Sequence, residues 1–249
     1  MRFLGQTLPN ALIITLMLLL PTTVNAKIKI LPLGDSITSQ SCWRAYLYKH
    51  LLDTPSLPPF QFIGSSLSNA TSCPRADYEW DLSHEGHPDM MATQMVLDEN
   101  LPVWLRKKRP DIALVHIGTP DLLAGTEPGL VLAALDRAVE QLRARNPNII
   151  ILVAELIGIV TTPETQHWDP ISPFNALVWP WANQRQTSRS PINVVDQFTG
   201  YDPWQDSLWG RSGRRERVLP DVAGDVKIAE RWVGAVVDAV KLAASRGVN

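Results

Sequence analysis

The chain has 249 residues, 45% of them hydrophobic and 19% charged, with a formal net charge of −2. This ordinary composition excludes a collagen-like repeat, a coiled coil and a largely disordered chain. The 23 Lys and Arg against 25 Asp and Glu show none of the basic excess of a nucleic-acid-binding domain, so no nucleic-acid partner is expected.

The first 26 residues read as a leader. Arg2 gives a positive start, Ala11–Leu20 is an apolar run, Pro21 breaks it, and Val24-Asn25-Ala26 offers a small-residue cleavage site. That is the layout of a secretory signal peptide. A membrane anchor is the competing reading, but the run falls short of the roughly 20 apolar residues a spanning helix needs. The expected organisation is a signal peptide over 1–26 and one domain over 27–249. The protein is then secreted or held in the secretory lumen, with no membrane contact after cleavage. Asn69-Ala70-Thr71 is an N-glycosylation sequon with Asn69 as acceptor. Cys42 and Cys73 either pair in an oxidising compartment or stay as two buried thiols.

Lys27–Gly34 (KIKILPLG) reads as a strand ending at a glycine turn, followed by a helix over Trp43–Leu52. Phe60–Ser66 is a second strand. Pro88–Lys108 is expected to be helical in two pieces, with Pro102 as the break. Asp111–Gly118 is a third strand. Pro128–Arg145 is a helix, because Val131, Leu135, Ala138 and Leu142 recur at helical spacing. Asn148–Gly158 and Ile192–Phe198 are the fourth and fifth strands, and Val222–Ala244 is a closing helix. The strands are near-continuous apolar runs, as in parallel sheets covered on both faces. Strand and helix alternate along the chain, so the expected fold is α/β: a flavodoxin-like three-layer sandwich with a five-stranded parallel sheet. Such folds carry their sites beyond the strand C-termini. The segments 34–42, 66–88, 118–128, 158–190 and 198–222 are the expected site loops.

The first of these reads Gly34-Asp35-Ser36-Ile37-Thr38. A serine between a strand tip and a helix start exposes its hydroxyl beside backbone N–H groups that can stabilise negative charge. A plain Gly-Asp-Ser turn is the alternative. With the blocks Ile30–Thr38 (ILPLGDSIT), His84-Glu85-Gly86-His87, His116–Leu122 (HIGTPDL), Val194–Pro203 and Ala223–Trp232, the chain resembles the GDSL or SGNH hydrolases, and among them carbohydrate esterase family 3 of acetyl xylan esterase type. The resemblance implies the SGNH hydrolase fold and a small-molecule or carbohydrate ligand; no cofactor is expected, and no metal, because His84-Glu85-Gly86-His87 lacks the four-residue histidine spacing of the zinc signature. The resemblance assigns Ser36 as nucleophile and the backbone N–H groups of Ser36 and Gly86 as oxyanion donors.

Other family positions are changed. The family's oxyanion asparagine falls on Pro120, its histidine base on Leu219, and its aspartate on Glu216. Trp209–Val218 looks foreign to the pattern, as a genuine insertion or a misjoined coding segment. A serine without a base is a weak nucleophile. Losing the base costs on the order of 10⁶ in turnover, and losing one oxyanion donor about 10²–10³. His84 and His87 are candidate substitute bases. His167 is a weaker one, His50 reads as a helix-surface residue, and His116 as a hydrogen-bonded core residue.

Asp35, Thr119, Asp121, Trp168, Trp179, Trp204 and Trp209 are the expected cleft-lining residues, the indoles offering flat faces to a sugar or apolar ligand. Asp121, if it faces the cleft, would repel a developing oxyanion. The function expected is ligand binding in a former esterase cleft with a non-hydrolytic step: cyclisation, elimination or isomerisation. Two alternatives stand beside it: an active esterase that uses Ser36 with a displaced histidine, and a non-catalytic binding protein.

Overall fold

The computed structural model describes residues 26–67, 73, 78–160, 169–208 and 218–247. The leader, Asn69, His167, Trp168, Trp209 and Glu216 lie outside the described residues.

The described strands are β1 (Ile28–Gly34), β2 (Phe60–Phe62), β3 (Ser66–Leu67), β4 (Ser83–Gly86), β5 (Ile112–His116), β6 (Ile150–Ala154) and β7 (Ile192–Val195). They form one sheet in the order β3-β4-β1-β5-β6-β7, with β2 also on β1. All pairings are parallel except β3 with β4. The expected five strands become seven. β2 takes the first half of the β1 edge opposite β5, from Ile28↔Phe60 to Ile30↔Phe62. The last half of that edge goes to β4, through Leu33↔Glu85 and Gly34↔Gly86. β4 lies in a segment expected to be loop, because its sequence, Ser-His-Glu-Gly, lacks an apolar run.

Side chains on the central strands alternate between two apolar layers. Leu31, Leu33, Ala113, Val115, Ile151 and Val153 join one buried cluster. Ile30, Ile112, Leu114, Ile150 and Leu152 join the other. The first layer is covered by α3 (Ala92–Leu97), α4 (Asn100–Trp104), α5 (Thr119–Leu123), α6 (Pro128–Arg145) and α7 (Ile171–Arg185). The second is covered by α2 (Trp43–Asp53) and α9 (Val222–Ser245), which meet through stacked Trp43 and Trp232. One turn each of helix, α1 (Ser36–Gln40) and α8 (Pro203–Asp206), follows β1 and β7.

The helix break expected at Pro102 falls instead at Asp98–Glu99, where Glu99 is left-handed at φ 54°. Pro102 sits in the first turn of α4, where a missing N–H removes no helical bond. The segment 158–190, expected to be loop, contains α7, which accommodates Pro180 in its interior. Among the described residues no helix is long and apolar enough to cross a membrane.

Cys42 and Cys73 are joined, with their Cα atoms 5.4 Å apart and a separation of 31 positions in sequence. Closing a loop of that size stabilises a fold by about 3–4 kcal/mol in the chain-entropy treatment. Cys73→Ser should therefore lower the melting temperature by about 10 °C, and reductant should do the same to the wild type but not to the variant. Equal melting of both proteins, with and without reductant, would show that the cross-link contributes nothing.

Candidate active site

β1 ends at Gly34 because no side chain fits there. A Cβ on Gly34 would stand 2.1 Å from Thr38 Oγ1 and 2.3 Å from the His116 carbonyl. Asp35 then caps α1, its Oδ1 accepting the Ile37 N–H at 3.0 Å. Asp35 is buried, and burial raises its pKa to about 7 against the opposing N–H groups of Ile37, Thr119 and Gly118. It is therefore a buried support beneath the loop rather than a cleft surface. Ser36, the first residue of α1, is partly exposed.

Both hydrogen bonds found for the Ser36 hydroxyl involve one residue. Ser36 Oγ donates to Asp89 Oδ1 at 3.2 Å and accepts from the Asp89 N–H at 2.8 Å. Asp89 is exposed and left-handed, at φ 58°. Sequence reasoning missed it. The available signal was a short polar residue after Pro88, a type that tolerates left-handed turns.

The Gly86 N–H donates to His84 Nδ1 at 3.0 Å, and the N–H that donates to the serine oxygen is that of Asp89. Accepting this bond leaves Nδ1 of His84 unprotonated. Burial, aided by the charges of Arg44 and His87, pushes the His84 pKa down to about 3. His87 turns toward Glu85, with Nε2 to Oε1 at 2.8 Å, and stacks on Trp104 at 3.8 Å between ring centroids. Glu85 is itself fixed by the N–H and hydroxyl of Ser65. Neither expected substitute base bonds to Ser36.

His50 lies in the last turn of α2. His116 is buried as expected, but neither ring nitrogen has a hydrogen-bond partner, and burial lowers its pKa to about 4. Leu219 packs partly into the α2–α9 layer while its carbonyl accepts the Leu208 N–H. Pro120 lies in the first turn of α5 and offers no donor.

Asp121 does not face the cleft. Its carboxylate accepts the N–H groups of Ala92 and Thr93 at 2.6 and 3.1 Å and the Thr93 hydroxyl at 2.6 Å, closing the start of α3. Its charge still reaches the base of the site, where it adds to the upward shift of Asp35. Thr119 is likewise buried. Of the indoles, Trp179 on α7 and Trp204 on α8 are 48% and 42% exposed, whereas Trp181 is core.

A second pair was also missed. Glu155 and Asp196 follow β6 and β7 directly, on strands in register through Ala154↔Val195. Burial, the Asp196 charge and a hydrogen bond with Asp196 raise the Glu155 pKa to about 7, with the Trp179 indole opposing. Asp196 is lowered despite its burial, because the N–H groups of Thr199 and Phe198 and the Glu155 side chain favour its charge. One carboxyl thus keeps its proton where its neighbour has lost it. Strand spacing puts the pair about 10–14 Å from Ser36 along the same sheet edge. Among the described residues no three His, Cys, Asp or Glu side chains gather in a way that could hold a metal.

The fold is similar to that of solved esterases. A mutant acetyl esterase, crystallised with an acetate ion, shares 24% identity at a TM-score of 0.74, over 86% of this chain and 98% of that one. A carbohydrate esterase of family 3 from Talaromyces cellulolyticus shares 25% at 0.74, over the same fractions. A family 3 carbohydrate esterase from Clostridium thermocellum shares 25% at 0.69, over 87% and 98%. No curated relative matches the sequence. The family model described as GDSL-like Lipase/Acylhydrolase matches residues 33–224. With most of its length inside that match, a Gly-Asp-Ser turn at the tip of β1 and the sheet of the solved esterases, the chain belongs to the GDSL-like lipase/acylhydrolase family.

Proposed function

We propose that this protein is exported, binds a small molecule or carbohydrate in the cleft around Ser36, and does not hydrolyse esters there. The observation that carries the reading is the pair of Ser36 hydrogen bonds, both to Asp89, while His84 and His87 are bound elsewhere. A serine hydroxyl needs a base of pKa near the working pH, and a free carboxylate is about three units too weak at neutral pH. Support for carbohydrate comes from the relatives, two of which are carbohydrate esterases. The exposed faces of Trp179 and Trp204 are suited to a sugar ring. Where the protein transforms its ligand, the reading assigns a non-hydrolytic proton transfer (cyclisation, elimination or isomerisation). Glu155 and Asp196 serve as acid and base, because their environments push their pKa values apart.

The test is acetyl-ester turnover by purified protein, using 4-nitrophenyl acetate and acetylated xylo-oligosaccharides, with Ser36→Ala as control. The expected result is equal, background-level release from both proteins. Turnover that disappears in Ser36→Ala would overturn the reading. One observation favours a second reading, a slow esterase with Asp89 as proton acceptor: the Ser36 Oγ–H already points at Asp89 Oδ1. That reading requires turnover that Ser36→Ala and Asp89→Asn abolish alike.

A further inference from the structure

We propose that Asp89 is the residue that bars oxyanions from the Ser36 cleft, and so decides that its ligand presents a hydroxyl or other donor there rather than an acyl oxygen; this rests on the suppressed hydrolysis proposed above. An acyl-transfer site needs N–H donors about 2.7–3.1 Å from the place where an oxyanion develops, close to the nucleophile. The Asp89 N–H is not such a donor, because it is held 2.8 Å from Ser36 Oγ, the nucleophile oxygen itself. Its aim requires the left-handed backbone at φ 58°, a conformation that glycine adopts freely and that costs other residues energy. Here the position carries aspartate, and the same turn that brings the N–H to the serine also brings the carboxylate, with Oδ1 3.2 Å from the serine oxygen.

The negative charge of Asp89 therefore stands beside the nucleophile. An anion arriving at the Ser36 oxygen meets Asp89 Oδ1 within a few ångströms, and like charges at that distance repel even through partly exposed surroundings. A neutral hydroxyl meets no such penalty, since it can donate to Oδ1 and accept from the N–H, as Ser36 itself does. No cation is paired with Asp89 among the ion pairs of the described residues. His87, Glu85 and Trp104 stand on the same side of β1, and the His87 ring is turned to Glu85 rather than to Asp89. The block is thus a property of one exposed side chain, and removing its charge should open the site without rebuilding it.

The experiment titrates ¹³C-acetate by NMR into wild type, Asp89→Asn and Asp89→Gly, with a Ser36→Ala, Asp89→Gly double variant to locate the site. Acetate is the probe because its charged oxygens mimic an oxyanion without needing a chemical step. Both single variants should bind acetate at least about tenfold more tightly than wild type, and the double variant should bind it differently from Asp89→Gly. Acetate affinity in Asp89→Asn equal to that of wild type overturns the proposal, as does wild-type binding already as tight as in Asp89→Gly. Asp89→Gly should melt no lower than wild type, because glycine relieves the left-handed strain. Asp89→Asn, nearly isosteric and tolerant of that backbone, keeps the test sound if glycine loosens the loop. Ester turnover is read separately in wild type: Ser36-dependent turnover there would sink the proposed function, while the acetate affinities still judge Asp89 on their own.

Discussion

Asp225→Ala should lower the stability of the fold by about 3–5 kcal/mol, a fall in melting temperature of about 10 °C, although the residue is far from Ser36 in sequence. Asp225 sits in the first turn of α9, buried, and its two oxygens accept the Cys42 and Trp43 N–H groups at 3.0 Å each. Those N–H groups open α2 and have no partners inside their own helix. Beside them lies the buried guanidinium of Arg44, whose Nε donates to the Thr38 carbonyl at 2.7 Å and whose Nη2 reaches the Ser39 carbonyl. Burial raises the Asp225 pKa to about 7, with the Cys42 and Trp43 N–H groups and the Arg44 charge opposing. Alanine would orphan two buried donors and leave the Arg44 charge without its nearby carboxylate, and each loss costs more than the bond itself contributed. Asp225→Asn keeps one acceptor and should recover part of the loss. Chemical denaturation of the three proteins measures this, and a change below about 1 kcal/mol in the alanine variant would show that α2 is held by its apolar face alone. Because Arg44 also grips the carbonyls at the end of α1, the same variant should loosen the Ser36 turn.

Asp35→Asn should have a strongly pH-dependent effect, gaining stability relative to wild type as the pH rises. Asp35 is buried, and its pKa is raised to about 7 from the ordinary 3.8. Between those values the folded chain keeps a proton that the unfolded chain has released. Stability contributed by the protonated form is therefore lost as pH climbs from about 4 to about 7, and the loss levels off above that. Over the full range the loss is on the order of 4 kcal/mol, and asparagine removes it because it does not titrate. The wild-type profile sums several such groups: Asp225 and Glu155, also raised to about 7, add to this loss. His84 and His116, with pKa values lowered to about 3 and about 4, contribute with the opposite sign below pH 6.5. Only the difference between variant and wild type isolates Asp35. Urea midpoints at pH 5 and pH 8 provide the check, and a difference that does not change with pH would mean that Asp35 is ionised at both.

The parts of the fold that were legible in sequence are those whose physics is local. β1, β5 and β6 are apolar runs covered on both faces, and α6 has its apolar stripe at helical spacing. The elements that escaped depend on distant partners. β4 is a strand of Ser, His, Glu and Gly that holds its place because Glu85 takes the N–H and hydroxyl of Ser65 and because Gly86 lies flat against Ser39 and Thr38. α7 was hidden by its prolines, although Asn175 pins it to the Leu156 backbone through two hydrogen bonds.

The site divides in the same way. Ser36 and Asp35 stand where the Gly-Asp-Ser turn puts them. Asp121 was assigned to the cleft because its partners, Ala92 and Thr93, lie 29 and 28 residues earlier. Gly86 takes its role from the resemblance, whereas the residue that bonds the serine hydroxyl is Asp89, three positions on, and only the backbone angle reveals it.

The account depends on Ser36 having no proton acceptor strong enough to make it a nucleophile. The direct measurement is labelling of the intact protein by a fluorophosphonate, which forms a serine–phosphorus bond and expels fluoride only at an activated hydroxyl, followed by mass spectrometry and peptide mapping. The expected result is an unlabelled protein after hours under conditions that label an active serine esterase within minutes. Stoichiometric adduct formation on Ser36 would contradict the account.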